Sequence, residues 1–405
     1  MKKVLIMVSS MEIGGVEKSL LNLLSSIPKG KYDITLLLLE KKGGFLSYVP
    51  DWVKVREVDW YKQIKPIIMQ PPQTTIHQYF IKKDILKIPG FLWGYYISKK
   101  LEDRSIYYHQ VFKSIANEPL AYDVAISYQS PTDILDYYVA NKVIAKKKIS
   151  WIHFDVTKHK INQKLYSKLH KNFERIFVVS HEARKKLIQK LPDNKEKTEV
   201  FFNLISPNLI EQMSRNQVDF DEQFDGMKIV TVGRLSKEKG QDLAIKVLSR
   251  LKKTGYNVKW YCVGEGKNRE EYEHLIKEYD LKNEFVLLGA TPNPYPYIAK
   301  ADIYVQTSRH EGYCLTLAEA KCLHKPIITT NFTGAREQII HNQNGLIAEF
   351  DEEDLYIKIK DLIENKQKRE KLIRNVSLSK VNTKLEVHKL FTYIEGESEV
   401  YETKD

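Results

Sequence analysis

The 405-residue sequence predicts an α/β protein made of two doubly wound domains whose parallel sheets face one another across a cleft. Three observations predict it. Short apolar runs recur along the chain, and glycine-bearing turns and helical patterns follow them in the order that parallel strands require. The series pauses over residues 206–226, which are polar, so the boundaries fall at 1–205 for the first domain and 227–375 for the second, with an irregular linker between. The length exceeds what one hydrophobic core usually holds. Residues 376–405 read as a helical tail expected to pack back toward the first domain.

Composition narrows the class. Hydrophobic content of 42% is ordinary for a globular protein. No run of about 18 apolar residues is present, so no membrane-spanning helix is expected. Cys262, Cys314 and Cys322 show no pairing or CxxC pattern, which points to a reducing compartment without a structural disulfide or zinc site. Charge is uneven: residues 1–205 carry 34 Lys and Arg against 20 Asp and Glu, and the remainder 30 against 32. Basic charge confined to one half suits an anionic surface or substrate facing that half.

In chain order, Val4–Val8 reads as a buried first strand. Gly14-Gly15 follows and lets the backbone approach a phosphate or sugar at the start of a helix carrying Leu20, Leu21, Leu23 and Leu24. Ile34–Leu39 is the next strand. Residues 60–113 interleave aromatic and basic side chains, a mix that suits a membrane interface, single-stranded nucleic acid, or a core of rings with solvated lysines. Asp123–Ser127 and Lys148–His153 read as strands, and His153 stands at a strand end, where open α/β sheets place ligands. Lys158–Lys171 reads as a basic amphipathic helix with Ile161, Leu165 and Leu169 on one stripe and Lys160, Lys164 and Lys168 beside it. Asp219-Phe220-Asp221 has the form of a metal-binding DxD but lies in the linker, so no metal site is assigned.

The second series begins at Lys228–Val232. Gly233-Arg234-Leu235 follows, and Lys239 stands before a helix, so two cations flank one turn and suit a diphosphate. Val258–Val263 leads to Gly264-Glu265-Gly266. Ala301–Ser308 leads to Glu311-Gly312-Tyr313-Cys314-Leu315 and then Glu319 in the first turn or so of a helix. A helix N-terminus offers bare N–H groups and partial positive charge to an anion, and Gly312 lets the backbone come close to a ligand. Two Glu eight apart arise by chance about twice in a chain this acidic, so the placement between strand and helix carries the weight. A phosphate on the N–H groups with hydroxyl-bearing groups on the carboxylates is the layout of a nucleotide-sugar.

Taken together, Gly14-Gly15-Val16-Glu17, Gly233-Arg234-Leu235 with Lys239-Gly240, Gly264-Glu265-Gly266, Glu311 with Glu319, and Asn344-Gly345-Leu346 resemble the retaining, nucleotide-sugar-dependent glycosyltransferases of family 4. That resemblance implies the GT-B architecture of two Rossmann-like domains. It implies that Glu319 holds the donor ribose, that Glu311 touches hydroxyls of the donor sugar, and that Arg234 and Lys239 neutralise the departing diphosphate. Backbone N–H groups around Tyr313, Cys314 and Leu315 would help at the phosphates. Gly14 and Gly15 would make room for donor and acceptor, and His153 would stand near the donor sugar. Expected with it are a UDP-sugar donor, a glycan or lipid-linked acceptor in bacterial surface-polysaccharide synthesis, no metal and no other cofactor. The basic first half then suggests a peripheral protein on the inner face of the cell membrane, with Lys160, Lys164 and Lys168 in contact with it. A nucleotide-sugar epimerase and a non-catalytic partner share the architecture; the absence of any nucleic-acid motif argues against a nucleic-acid binder.

Overall fold

A computed structural model of the chain describes residues 1–81, 83–157, 161–218, 220–378 and 383–396. It contains two parallel sheets. The first is built from β1 (Lys2–Val8), β2 (Tyr32–Leu38), β3 (Lys54–Glu57), β4 (Ala121–Ser130), β5 (Ile144–Ile152), β6 (Arg175–Val178) and β7 (Thr198–Val200), in the spatial order β3-β2-β1-β4-β5-β6-β7. The second is built from β8 (Met227–Val232), β9 (Val258–Val263), β10 (Phe285–Gly289), β11 (Ile303–Gln306), β12 (Ile327–Thr330) and β13 (Leu346–Ala348), in the order β10-β9-β8-β11-β12-β13. Both orders reverse direction after the first strand of the sheet, at β1/β4 and at β8/β11. At such a reversal the loops on the carboxyl edge splay apart and leave a crevice.

The central strands are apolar because helices cover both of their faces. Val4, Leu5, Ile6, Met7 and Val8 of β1 are all at most 2% exposed. Their side chains alternate between two cores: Leu5 and Met7 pack with Trp60, Tyr108 and Phe112, while Val4, Ile6 and Val8 pack with Leu20, Leu24 and Trp151.

The linker and the basic helix differ from expectation. Residues 206–226 are not irregular throughout: Pro207–Ser214 is a helix, and Ile210 and Phe220 are buried with Val230, Tyr295 and Leu317 of the second unit. Asp219 lies outside the described residues, and Asp221 is bonded to Lys259 and to the Tyr261 hydroxyl, which leaves it an ion-pair partner. The basic helix is shorter than its sequence pattern. It runs Gln163–Leu169, and the Asn162 side chain accepts the Leu165 N–H and fixes its start. Lys158–Lys160 lie outside the described residues. Lys164 donates to the Leu101 carbonyl and Lys168 to Asp103 at 2.7 Å, so both lysines serve internal contacts.

The chain returns at its end to where it began. The helix Thr383–Glu395 places Val387, Leu390 and Ile394 in the core around Val4 and Ile34. Glu386 accepts the Phe202 N–H at 2.9 Å, and Lys2 donates to the Ile394 carbonyl at 3.1 Å. Residues 397–405 lie outside the described residues. No helix among the described residues is long and apolar enough to cross a membrane.

Candidate active site

The second sheet's crevice gathers the charged residues that the sequence singled out. Lys239 follows β8 in a short 3-10 turn, and Glu311 follows β11; the topology sets these strands side by side. Lys239 donates to Glu311, and the Ser308 hydroxyl donates to the same carboxylate oxygen at 2.9 Å. Burial pushes the Lys239 ammonium down, but the Glu311 carboxylate beside it outweighs burial, so its pKa stands above the ordinary lysine value. Lys239 is therefore a fixed cation throughout the physiological range. Arg234 stands exposed at the rim, close enough for its charge to act on Glu17 across the cleft.

The helix Leu315–Cys322 begins at this edge, and Cys314 caps it with φ 65°. A left-handed conformation is strained for a residue with a Cβ, and such strain concentrates where a backbone is held for a purpose. Gln338 donates to the Tyr313 carbonyl and holds the loop from behind. The Tyr313 ring packs 6.0 Å from Phe202, and Leu315 is buried. Burial pushes the Cys314 thiol up to about 12, so it is a packing group and not a nucleophile.

Glu319 lies one turn into this helix, slightly deeper than its sequence position suggested, and is 3% exposed. The Tyr295 hydroxyl donates to it at 2.9 Å. Burial raises its pKa, and the Lys18 charge opposes that rise. Lys18 belongs to the first unit's helix Gly15–Ser26, yet its ammonium sits 4.7 Å from the Tyr295 ring centroid. Tyr295 and Lys18 carry no motif of their own and were not legible as partners of Glu319.

The glycines divide by what they approach. A Cβ on Gly264 would lie 2.0 Å from the Gly233 carbonyl oxygen, and one on Gly266 would lie 2.4 Å from that of Leu235. Their absent side chains thus let two loops of one sheet stack, which shapes the edge from behind. Gly233 itself lies against the stem of Lys239. A Cβ on Gly312 would lie 2.3 Å from the His153 carbonyl oxygen. Gly312 therefore brings the second unit's loop onto the first unit's backbone, an approach of chain to chain where the sequence suggested chain to ligand. Gly15 faces open space, whereas Gly14 makes way for the Glu17 carboxylate.

On the first unit's side, His153 is 7% exposed and its Nε2 has no hydrogen-bond partner among the described residues. Its ring stands 4.6 Å from Tyr128 and is parallel to Trp151 within 9°. Burial lowers its pKa to about 3, so it is neutral. Glu17, not singled out from the sequence as a site residue, sits beside the Gly14-Gly15 turn; burial raises its pKa to about 7, against the opposing Arg234 charge. Across the back of the cleft the units are joined: Glu337 accepts the His181 and Glu182 N–H groups at 2.9 and 2.8 Å, and Thr333 donates to Asp155 at 2.8 Å. Lys186 bridges Asp155 and Thr333. Among the described residues no group of three or more His, Cys, Asp or Glu could hold a metal ion.

Residues 214–378 match the family described as glycosyl transferases group 1. A Campylobacter jejuni N-acetylgalactosaminyltransferase acting on a diphospho-undecaprenol-linked sugar is 35% identical over 143 residues, covering 35% of this chain and 38% of that protein. The Staphylococcus aureus capsular polysaccharide glycosyltransferase CapM is 31% identical over 157 residues, covering 37% and 40%. The chain thus spans about two fifths of these relatives' length. Among solved structures, Anabaena HepE in complex with UDP and glucose superposes with a TM-score of 0.71 at 17% identity, covering 98% of this chain and 100% of that one. A mutant of S. aureus TarM, solved in a complex that includes UDP, gives 0.70 at 14%, covering 98% and 100%. The fold is GT-B: two Rossmann-like domains, each a parallel sheet.

Proposed function

We propose that the protein is a retaining glycosyltransferase of family 4 type. It moves a hexose or N-acetylhexosamine from a UDP-sugar to a glycan or lipid-linked acceptor in bacterial surface-polysaccharide synthesis, working from the inner face of the membrane. One observation carries the reading: Lys239 and Arg234 share one sheet edge with the N-terminus of Leu315–Cys322, with the Glu311 carboxylate bonded to Lys239 ahead of that helix and the Glu319 carboxylate buried one turn into it.

Breaking a sugar–phosphate bond leaves negative charge on the diphosphate and positive character on the sugar. Lys239, held on Glu311, and the helix N-terminus stabilise the first without reorganising, and Arg234 adds a second positive charge from the rim. In this reading Glu319 takes the ribose hydroxyls, and Tyr295 holds its carboxylate in position. Glu311, held by Lys239 and Ser308, accepts from hydroxyls of the donor sugar. His153, neutral and with an unpartnered Nε2, is suited to hydrogen-bond a sugar hydroxyl and unsuited to compete for the departing phosphate. The cations take the part a divalent metal would take, so turnover is expected to survive a chelator. Activity abolished by chelation and restored only by a divalent ion contradicts this.

The acceptor falls to the first unit. A cavity of about 330 Å³ opens there between Tyr61, Lys65, Met69, Arg104 and Tyr108 on one side and, on the other, Pro131 and Thr132 after β4 with the start of the helix Asp133–Lys142. The test is UDP release from a panel of UDP-sugars with and without lipid-linked acceptors, with the product's anomeric configuration read by NMR. Acceptor-dependent release with retention is expected. Conversion of one nucleotide-sugar into another without acceptor would show an epimerase.

A further inference from the structure

Between β3 and β4 the chain inserts four helices, Tyr61–Met69, Pro72–Ile81, Lys87–Lys100 and Arg104–Phe112. Their inner sides carry the buried rings Tyr61, Phe91, Tyr108 and Phe112. The outer side is also apolar. Leu86, at the turn between the second and third helices, is 97% exposed, and Ile81 and Phe80 beside it are 68% and 55% exposed. On the third helix, Gly90 and Gly94 pack against Gln110 of the fourth, which fixes the inward face. Pro89, Trp93, Tyr96 and Lys100 then form the outward stripe, with Trp93 61% and Tyr96 63% exposed. A helix that is apolar all round belongs in a core or in an apolar medium. Monomeric soluble proteins rarely leave such contiguous apolar surface bare.

We infer that the corner formed by Phe80, Ile81, Ile85 and Leu86 and the Trp93/Tyr96 face inserts into the surface of an anionic lipid bilayer. Charge commits the occupant. Residues 69–101 hold five lysines and one acidic residue, Asp84, which is itself paired with Lys87 at 2.9 Å. Lys83, Lys87, Lys99 and Lys100 are exposed around the apolar corner. Rings at headgroup depth, aliphatic side chains beneath them and lysines at lipid phosphate are the arrangement of an interfacial anchor. Shape agrees: Leu86 protrudes at a turn, so a protein partner would need a matching pocket, whereas a bilayer needs none. The inference deepens the membrane part of the proposed function and moves the contact away from Lys164 and Lys168, whose ammonium groups are engaged internally.

The test is flotation of the full chain with phosphatidylcholine vesicles and with vesicles also containing phosphatidylglycerol, together with Trp93 fluorescence read against Trp93→Phe. Expected are preference for the anionic vesicles, quenching of Trp93 by lipids brominated on the acyl chain, and a loss of binding of about tenfold or more in Leu86→Gln/Tyr96→Gln. Lys164→Gln/Lys168→Gln should leave binding unchanged. Unchanged binding in the Leu86/Tyr96 variant overturns the inference, as does an unquenched Trp93 or a vesicle-independent self-association that the same variant abolishes. UDP release with a detergent-soluble acceptor should match wild type in these variants; its absence in wild type would strike at the transferase reading and leave the vesicle result standing.

Discussion

The two sheets are wound alike and their cleft edges are chemically unlike. Each runs in the order third, second, first, fourth, fifth, sixth of its own strands, and the first sheet adds a seventh. The second edge holds fixed charge, with Lys239 against Glu311 and Glu319 beneath Tyr295. The first edge carries less fixed charge of its own: His153 lies uncharged among rings, burial drives Glu17 up to about 7, and Lys18 is turned onto Tyr295 of the second unit. In the proposed reaction, one scaffold would thus support a side that stabilises a departing diphosphate and a side that hydrogen-bonds without drawing it away. The difference lives in the loops, and the strands beneath are interchangeable in kind.

Substitutions can break this division. The largest effect is expected from Gly264→Ala, whose Cβ would enter the Gly233 carbonyl within one unit. It should cost about 2–4 kcal/mol of stability, seen as a drop of several degrees in Tm. Gly312→Ala meets the His153 carbonyl across the cleft instead. It should leave Tm nearly unchanged and lower kcat/KM about a hundredfold, because it prevents the units from closing onto one geometry. Equal loss of stability in both variants would erase the distinction between a loop packed within a unit and one packed between units.

Acid should act on the first unit. Burial lowers both His153 and His170 to about 3. Below about 6.5 the unfolded chain takes up protons that the folded chain refuses, so stability present above that pH is lost as pH falls toward 3. The slope is about 1.4 kcal/mol per pH unit for each histidine, and His170→Asn should remove one such share in urea titrations between pH 4 and 6. For the same reason the pH–rate profile should show no break from His153 near 6.5. The smallest change is expected from Glu337→Gln, which weakens the carboxylate at the start of His181–Lys190. About a fivefold rise in donor KM with little change in kcat would mark it as a closure contact.

Much of the fold was legible because apolar runs and glycine turns repeat. The placement of Glu311 ahead of a helix and of Glu319 within it was legible for the same reason, since a strand, a loop and a helix lie together in sequence. Lys239 against Glu311, Tyr295 against Glu319 and Lys18 over Tyr295 were not, because these contacts join residues far apart in the chain and leave no spacing to read. The close neighbours of the glycines were not legible either: Gly264, Gly266 and Gly312 give room to adjacent backbone, and sequence alone cannot tell that from room for a ligand. The four helices between β3 and β4 were not legible from interleaved aromatic and basic side chains alone, and in Lys87–Lys100 apolar residues stand on both faces, which is itself the feature the bilayer inference uses.

The central claim is that the second edge grips the diphosphate by fixed positive charge. Calorimetric titration of UDP into wild type and into Arg234→Ala/Lys239→Ala, with Tm confirming that the variant is folded, tests it most directly. The account predicts a Kd raised about a hundredfold or more in the variant, in keeping with the loss of two charge-assisted contacts to phosphate. An unchanged Kd would contradict it.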